Sequence, residues 1–191
     1  DRAPVRRAEI DPKGSPHGSV QGRVSTYDVD PVNVPYIVAR KKGETYTWAR
    51  GDQGAFDMTL PAGEYELYAT AKGHAPSTVH KVSVQNGQST ELTFADLQSP
   101  GRVSFTITES TTEVPLDARI SIQEGVQPVI GFLGQNIFFT ELENQGMCQA
   151  ALAPGEYTFQ IQAGSPFFSL AQDVQLTVPS KDTVQAQVNV P

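Results

Sequence analysis

From residue 17 onward, apolar and polar positions alternate in short runs broken by glycine and proline. In Gly63–Ala71, the residues Tyr65, Leu67, Ala69 and Ala71 share one face, while Glu64, Glu66 and Thr70 share the other. A period of two with one polar face is the pattern of a half-buried strand in an antiparallel sheet. No window carries a helical period of comparable quality. The chain reads as all-β, with about seven short strands in each copy of the repeat described below, the pattern of a Greek-key sandwich. Residues 1–16 are charged, contain proline and lack periodicity, so they read as a linker or the tail of a preceding domain.

An internal repeat organises the remainder. Leu60-Pro61-Ala62-Gly63-Glu64-Tyr65 recurs 92 positions later as Leu152-Ala153-Pro154-Gly155-Glu156-Tyr157. At the same offset, Gly54-Ala55-Phe56 meets Gly146-Met147-Cys148, which places Cys148 where the first copy has Phe56. The opening strands, Gly22-Arg23-Val24-Ser25 and Gly101-Arg102-Val103-Ser104, match at an offset of 79. The difference, 92 − 79, gives the second copy 13 extra residues, expected within Gly125–Thr140. That stretch is apolar but punctuated by glycine and proline, so it reads as a loop rather than a regular strand. The expected domains are 17–96 and 101–191, with 97–100 as a linker. Two copies are too few for a solenoid and read as tandem beads.

The first copy resembles the carboxypeptidase regulatory-like domain, a transthyretin-like sandwich. The resemblance rests on Gly18-Ser19-Val20-Gln21-Gly22-Arg23-Val24, the strand around Ile37 and Ala39, Asp52-Gln53-Gly54-Ala55-Phe56, and Leu60 to Tyr65 with Lys72-Gly73-His74 downstream. Asp-x-Gly suits a tight hairpin, and Pro-x-Gly suits the following turn. His74 stands where the family usually has an aromatic residue. The second copy resembles the sandwich that precedes the catalytic domain of PHP-type metallohydrolases. Here the carriers are Gly101-Arg102-Val103-Ser104-Phe105, Val114 to Ile120, the long insert and the Pro154-Gly155-Glu156-Tyr157 turn. This implies a metal-dependent hydrolase domain following Pro191 in the intact polypeptide. Related adhesin sandwiches form a Lys–Asn crosslink with a catalytic Glu six residues after the turn glycine. Those positions are Ala69 and Ile161 here, and the first strands around Val24 and Val103 lack the lysine, so no crosslink is expected.

Composition narrows the chemistry. The net charge of −7 supplies no basic face for phosphate backbones, so nucleic acid is not an expected partner. Arg6-Arg7 and Arg40-Lys41-Lys42 read as solvated end or turn charges. No apolar run reaches the length of a membrane span. The start at Asp1 without Met reads as a processed or excised segment of an extracytoplasmic protein, whether periplasmic, cell-surface or secreted. The three histidines, His17, His74 and His80, form no His-x-His pair, so neither a metal nor any other cofactor is expected. Cys148 aligns with a core phenylalanine and reads as a buried structural thiol. With no Gly-x-Ser-x-Gly elbow and no acid–base constellation, no catalytic residue is expected.

Two non-catalytic roles remain. The favoured one is a spacer and docking pair beside another domain of the same polypeptide, with Phe132, Leu133, Phe167 and Phe168 as docking candidates. Phe132 and Leu133 lie in the apolar insert. Phe167-Phe168 follows Ser165-Pro166, so in an extended segment one ring points away from its own core. The alternative is a carbohydrate or cell-surface binding module, with Tyr36, Tyr46 and Trp48 as an aromatic platform in the first domain and Phe132, Phe138, Phe139, Phe167 and Phe168 as further aromatic candidates in the second.

Overall fold

A computed structural model describes residues 15–126, 130–163 and 171–191. The expected leading linker, apart from its last two residues, lies outside that set. The chain divides into two compact units, Asp1–Ala71 with Pro76–Gln98 and Lys72–Ala75 with Ser99–Pro191.

Among the described residues, the first unit has strands β1 (His17–Thr26), β2 (Tyr36–Lys41), β3 (Glu44–Arg50), β4 (Ala55–Pro61), β5 (Gly63–Thr70), β6 (His80–Val84) and β7 (Ser89–Leu97). The second has β8 (Gly101–Glu109), β9 (Ala118–Glu124), β10 (Ile137–Phe139), β11 (Met147–Leu152), β12 (Gly155–Ala163), β13 (Gln172–Val178) and β14 (Thr183–Val190). The first unit pairs them as β4-β1-β7 and β3-β2-β5-β6, and the second as β11-β8-β14 and β10-β9-β12-β13. The strand order is the same in both. Each unit also has one parallel pair, β1 with β7 and β8 with β14, among otherwise antiparallel neighbours. Both are β-sandwiches, as the repeat predicts.

Alternation decides which side chains enter each core. In β4, Phe56, Met58 and Leu60 are buried while Ala55, Asp57 and Thr59 are exposed. In β11, Cys148, Ala150 and Leu152 are buried in the same rhythm. Ile37, Leu60, Leu67 and Phe94 are fully enclosed in the first core, and Phe105, Ile120, Phe159 and Ile161 in the second. Ala69 and Ile161, the two crosslink-equivalent positions, are likewise core residues. The repeated turn builds one further shared device. Tyr65 buries its ring and donates its hydroxyl hydrogen to the Pro61 carbonyl at 3.0 Å. Tyr157 does the same to the Ala153 carbonyl at 2.8 Å.

Strand register corrects the expected insert. Gly18 pairs with Leu60, and Gly101 pairs with Leu152. Gly101 is therefore the counterpart of Gly18, not of Gly22, and the offset of the opening strands is 83 rather than 79. The surplus is then 92 − 83, nine residues rather than 13. A slip of four keeps every side chain on its own face, which is why the Gly-Arg-Val-Ser match fits the alternation at the wrong register. Pairing also divides the surplus. Ala49 and Phe138 are counterparts, opposite Ile37 and Ile120, so six of the extra residues lie between β9 and β10 and three between β10 and β11. The first unit turns between β2 and β3 through Lys42 and Gly43, both at positive φ (54° and 83°), a tight two-residue hairpin. The second unit replaces this turn with the 125–136 connection, of which 127–129 lie outside the described residues. The described residues of the connection are irregular with a 3-10 turn at Gly131–Leu133, as expected. Its continuation is not all loop, because Ile137–Phe139 pairs with β9 as a short edge strand.

Candidate functional site

The expected aromatic platform is not assembled. Along β2, Ala39 pairs with Thr47 but Arg40 pairs with Thr45, leaving Tyr46 as the extra residue of a bulge. The bulge reverses the alternation of β3. Tyr46 turns to the core side, where its ring lies 5.7 Å from that of Tyr65. Trp48 stays on the opposite face, opposite Val38, with its ring 5.6 Å from Tyr36 in an edge-to-face contact. Tyr36 itself is buried. The three candidates therefore lie on two faces of the sheet and cannot stack against one sugar.

The docking candidates separate as well. Leu133, at the end of the 3-10 turn, is buried, so it offers no open contact to a partner. Phe132, its neighbour, is 64% exposed. Phe167 and Phe168 lie outside the described residues. Sequence reasoning passed over Ile137 and weighed Phe139 only as a sugar-binding aromatic, not as a docking contact. These flank the buried Phe138 on edge strand β10 and are 41% and 60% exposed. They share the outer face of β10 by strand alternation. Leu142, in the β10–β11 connection that carries three of the surplus residues, is fully exposed. Phe132, Ile137, Phe139 and Leu142, all in or beside edge strand β10, are thus exposed apolar residues of the second sandwich. The signal for this was the triplet Ile137-Phe138-Phe139, in which alternation must turn the first and third residues outward once the middle one is buried.

Cys148 is a core residue opposite Phe105. Burial, with a smaller contribution from Glu141, pushes its thiol up to about 11. It is a neutral packing group at ordinary pH. Burial likewise pushes the Tyr157 hydroxyl up to about 12 and raises those of Tyr65 and Tyr68. The histidines do not converge. His17 faces the Ser15 carbonyl, His74 faces the Lys72 carbonyl at 2.9 Å, and His80 stands edge-on to Phe94 at 5.2 Å. Among the described residues, no group of three His, Cys, Asp or Glu side chains is placed to hold a metal ion.

Beside each repeated tyrosine lies a surface cleft. In the first unit it has a volume of about 330 Å³ and is lined by Arg40, Lys41, Lys42, Lys81, Glu64 and Glu66 around Tyr65. In the second it has a volume of about 420 Å³ and is lined by Glu124, Glu156, Thr158, Gln175 and Thr177 around Tyr157. Their walls correspond by register. Arg40 and Lys81 flank Glu66, whereas Glu124 and Gln175 flank Thr158.

Comparison with known proteins accords with the sandwich architecture. The chain is similar to a streptococcal ancillary pilin, at 16% identity and a TM-score of 0.51, over 91% of this chain and 62% of that one. It is also similar to GBS52, the minor pilin of the gram-positive pathogen Streptococcus agalactiae, at 12% identity and a TM-score of 0.54, over 91% of this chain and 95% of that one. At such identities the likeness is one of fold. The chain spans less than two thirds of the ancillary pilin. No curated protein matches it. The first unit has a closer assignment, since residues 19–97 match the family model of the carboxypeptidase regulatory-like domain.

Proposed function

We propose that this chain is a non-catalytic spacer and docking pair within a larger extracytoplasmic polypeptide, and that its second sandwich docks a neighbouring domain through Phe132, Ile137 and Phe139. The observation that carries the reading is the exposed apolar edge at β10 on a unit that already closes its own core. Several large apolar side chains left in water along one edge are the mark of an interaction surface. The carboxypeptidase regulatory-like match and the pilin-like fold support a structural rather than chemical role. The proposed neighbour is a metal-dependent hydrolase domain, on the resemblance of the second copy to the sandwich that precedes such domains. Hydrogen exchange tests the docking. Amides of residues 130–139 are expected to be slower in the intact polypeptide than in this chain alone, and equal rates would refute it. Incubating the purified chain with ester and phosphoester substrates tests the rest. The expected result is no turnover, and a turnover abolished by one substitution would overturn it.

A further inference from the structure

The two clefts occupy the same place on the same scaffold, yet their charges differ in sign. Arg40, Lys41, Lys42 and Lys81 face Glu64 and Glu66 in the first, while Glu124 and Glu156 are the charged groups of the second. The second unit folds without the cations, so the sandwich does not require them. They stand out on a chain of net charge −7. Two of them are held in place. The Lys41 ammonium sits 5.2 Å from the Tyr65 ring centroid and 5.8 Å from that of Tyr46, a cation–π position that fixes the charge at the cleft wall without neutralising it. The Arg40 guanidinium donates through Nε and Nη2 to the Gly43 carbonyl, at 3.3 and 2.8 Å. That bond ties Arg40 to the Lys42–Gly43 turn and engages the Nε–Nη2 edge of its fork, so the cleft's other cations are the three lysines. What remains on offer is a set of compact ammonium charges, which suits an oxyanion of high charge density.

We infer that the cleft beside Tyr65 binds a phosphate group, with Lys41, Lys42 and Lys81 as its cationic contacts. Glu66, between Arg40 and Lys81, opposes the anion and sets the strength of binding. A simpler account makes Arg40, Glu66 and Lys81 a cross-strand charge ladder with no ligand. The two differ at Glu66, because removing a ladder's central carboxylate weakens the domain and recruits nothing, whereas removing it from an anion site tightens the site.

The test is an amide-resolved NMR titration of the whole chain at low salt and pH 7.5, where a phosphate monoester is largely dianionic. The probes are inorganic phosphate, methyl phosphate, dimethyl phosphate and acetate. Saturable shifts are expected for phosphate at residues 40–43, 64–66 and 81, with a dissociation constant on the order of a millimolar. Lys41→Gln with Lys42→Gln should weaken it by about tenfold or more, Glu66→Gln should tighten it, and Arg102→Gln in the other unit should leave it unchanged. Methyl phosphate binding alone points to a monoester source, and dimethyl phosphate binding as well points to a diester chain; either supports the site. Lack of saturation about tenfold above that concentration, shifts spread over both units, or equal response to acetate would overturn it. So would Glu66→Gln that lowers the melting temperature without tightening phosphate.

Discussion

The two sandwiches share every strand, the order of both sheets and the tyrosine that closes the repeated turn, but they solve the same packing problem with opposite choices. Across the first pair of strands, Gly22 lies opposite Phe56. At the equivalent place in the second unit, Phe105 lies opposite Cys148. One large and one small residue face each other in both, with the roles exchanged between strands. Interiors are packed densely enough that summed volume matters more than which strand supplies it. Cys148 is small because Phe105 is large. The tyrosine ring is covered differently as well. Lys41 lies over Tyr65, whereas Gly125 lies so close to Tyr157 that a Cβ there would fall 2.2 Å from Cδ1 of the ring. The core design tolerates either cover, and the surface chemistry follows from the choice.

Deleting the shared element should have the largest effect. Tyr157→Ala removes a buried ring and leaves the Ala153 carbonyl without its partner, at an expected cost of about 3–5 kcal/mol. Chemical denaturation monitored in the second unit reads this, and an unchanged midpoint would mean that the turn tyrosine is not a core residue.

Exchanging the packing partners sharpens the comparison. Cys148→Phe alone forces a second large ring against Phe105 and should cost about 1–3 kcal/mol. Combined with Phe105→Gly, it recreates the arrangement of the first unit. The double variant should be more stable than the sum of the single losses by about 0.5–3 kcal/mol. Strict additivity would break the claim that the two positions share one volume.

Alkali should act chiefly on the second unit. Cys148 and Tyr157 are neutral when protonated, and their folded values, about 11 and about 12, lie above the ordinary 9.0 and 10.0. The unfolded chain therefore loses these protons first, so stability falls as pH rises. Their contribution is complete below pH 9.0 and is lost as pH climbs through about 11 and then about 12. Cys148→Ala should flatten the start of that decline in a pH series of denaturation curves. An unaltered profile would mean that the thiol is not buried as described.

Surface substitutions should have the smallest effect. Phe132→Ser with Phe139→Ser should move the isolated chain's stability by less than about 0.5 kcal/mol per site, because both residues are more exposed than buried. A larger loss would show that the edge packs on its own sandwich and would remove the docking reading.

Much of the fold was legible in the sequence, because strand alternation and turn chemistry are local. The Gly-Glu-Tyr repeat located both tyrosines, and the 92-residue offset placed Cys148 on the correct strand facing the core. What failed depended on pairing. The opening strands slipped by four residues because an even slip leaves the buried face intact. Tyr46 and Trp48 were read as one platform because a bulge leaves no mark in the alternation of its own strand. Phe132 and Leu133 are adjacent in sequence, and a 3-10 turn decided which of them was buried. The clefts were missed because Lys81 joins Arg40, Lys41 and Lys42 through the sheet rather than along the chain.

The central claim is that one seven-strand plan is built twice, at the register found here. Cross-strand NOEs in the intact chain test it most directly. The account predicts contacts between Val20 and Thr90 and between Val103 and Val184 across the parallel pairs, with Gly18 opposite Leu60 and Gly101 opposite Leu152. A second unit in which β8 lacks β14 as a neighbour, or in which Phe105 does not face Cys148, would contradict it.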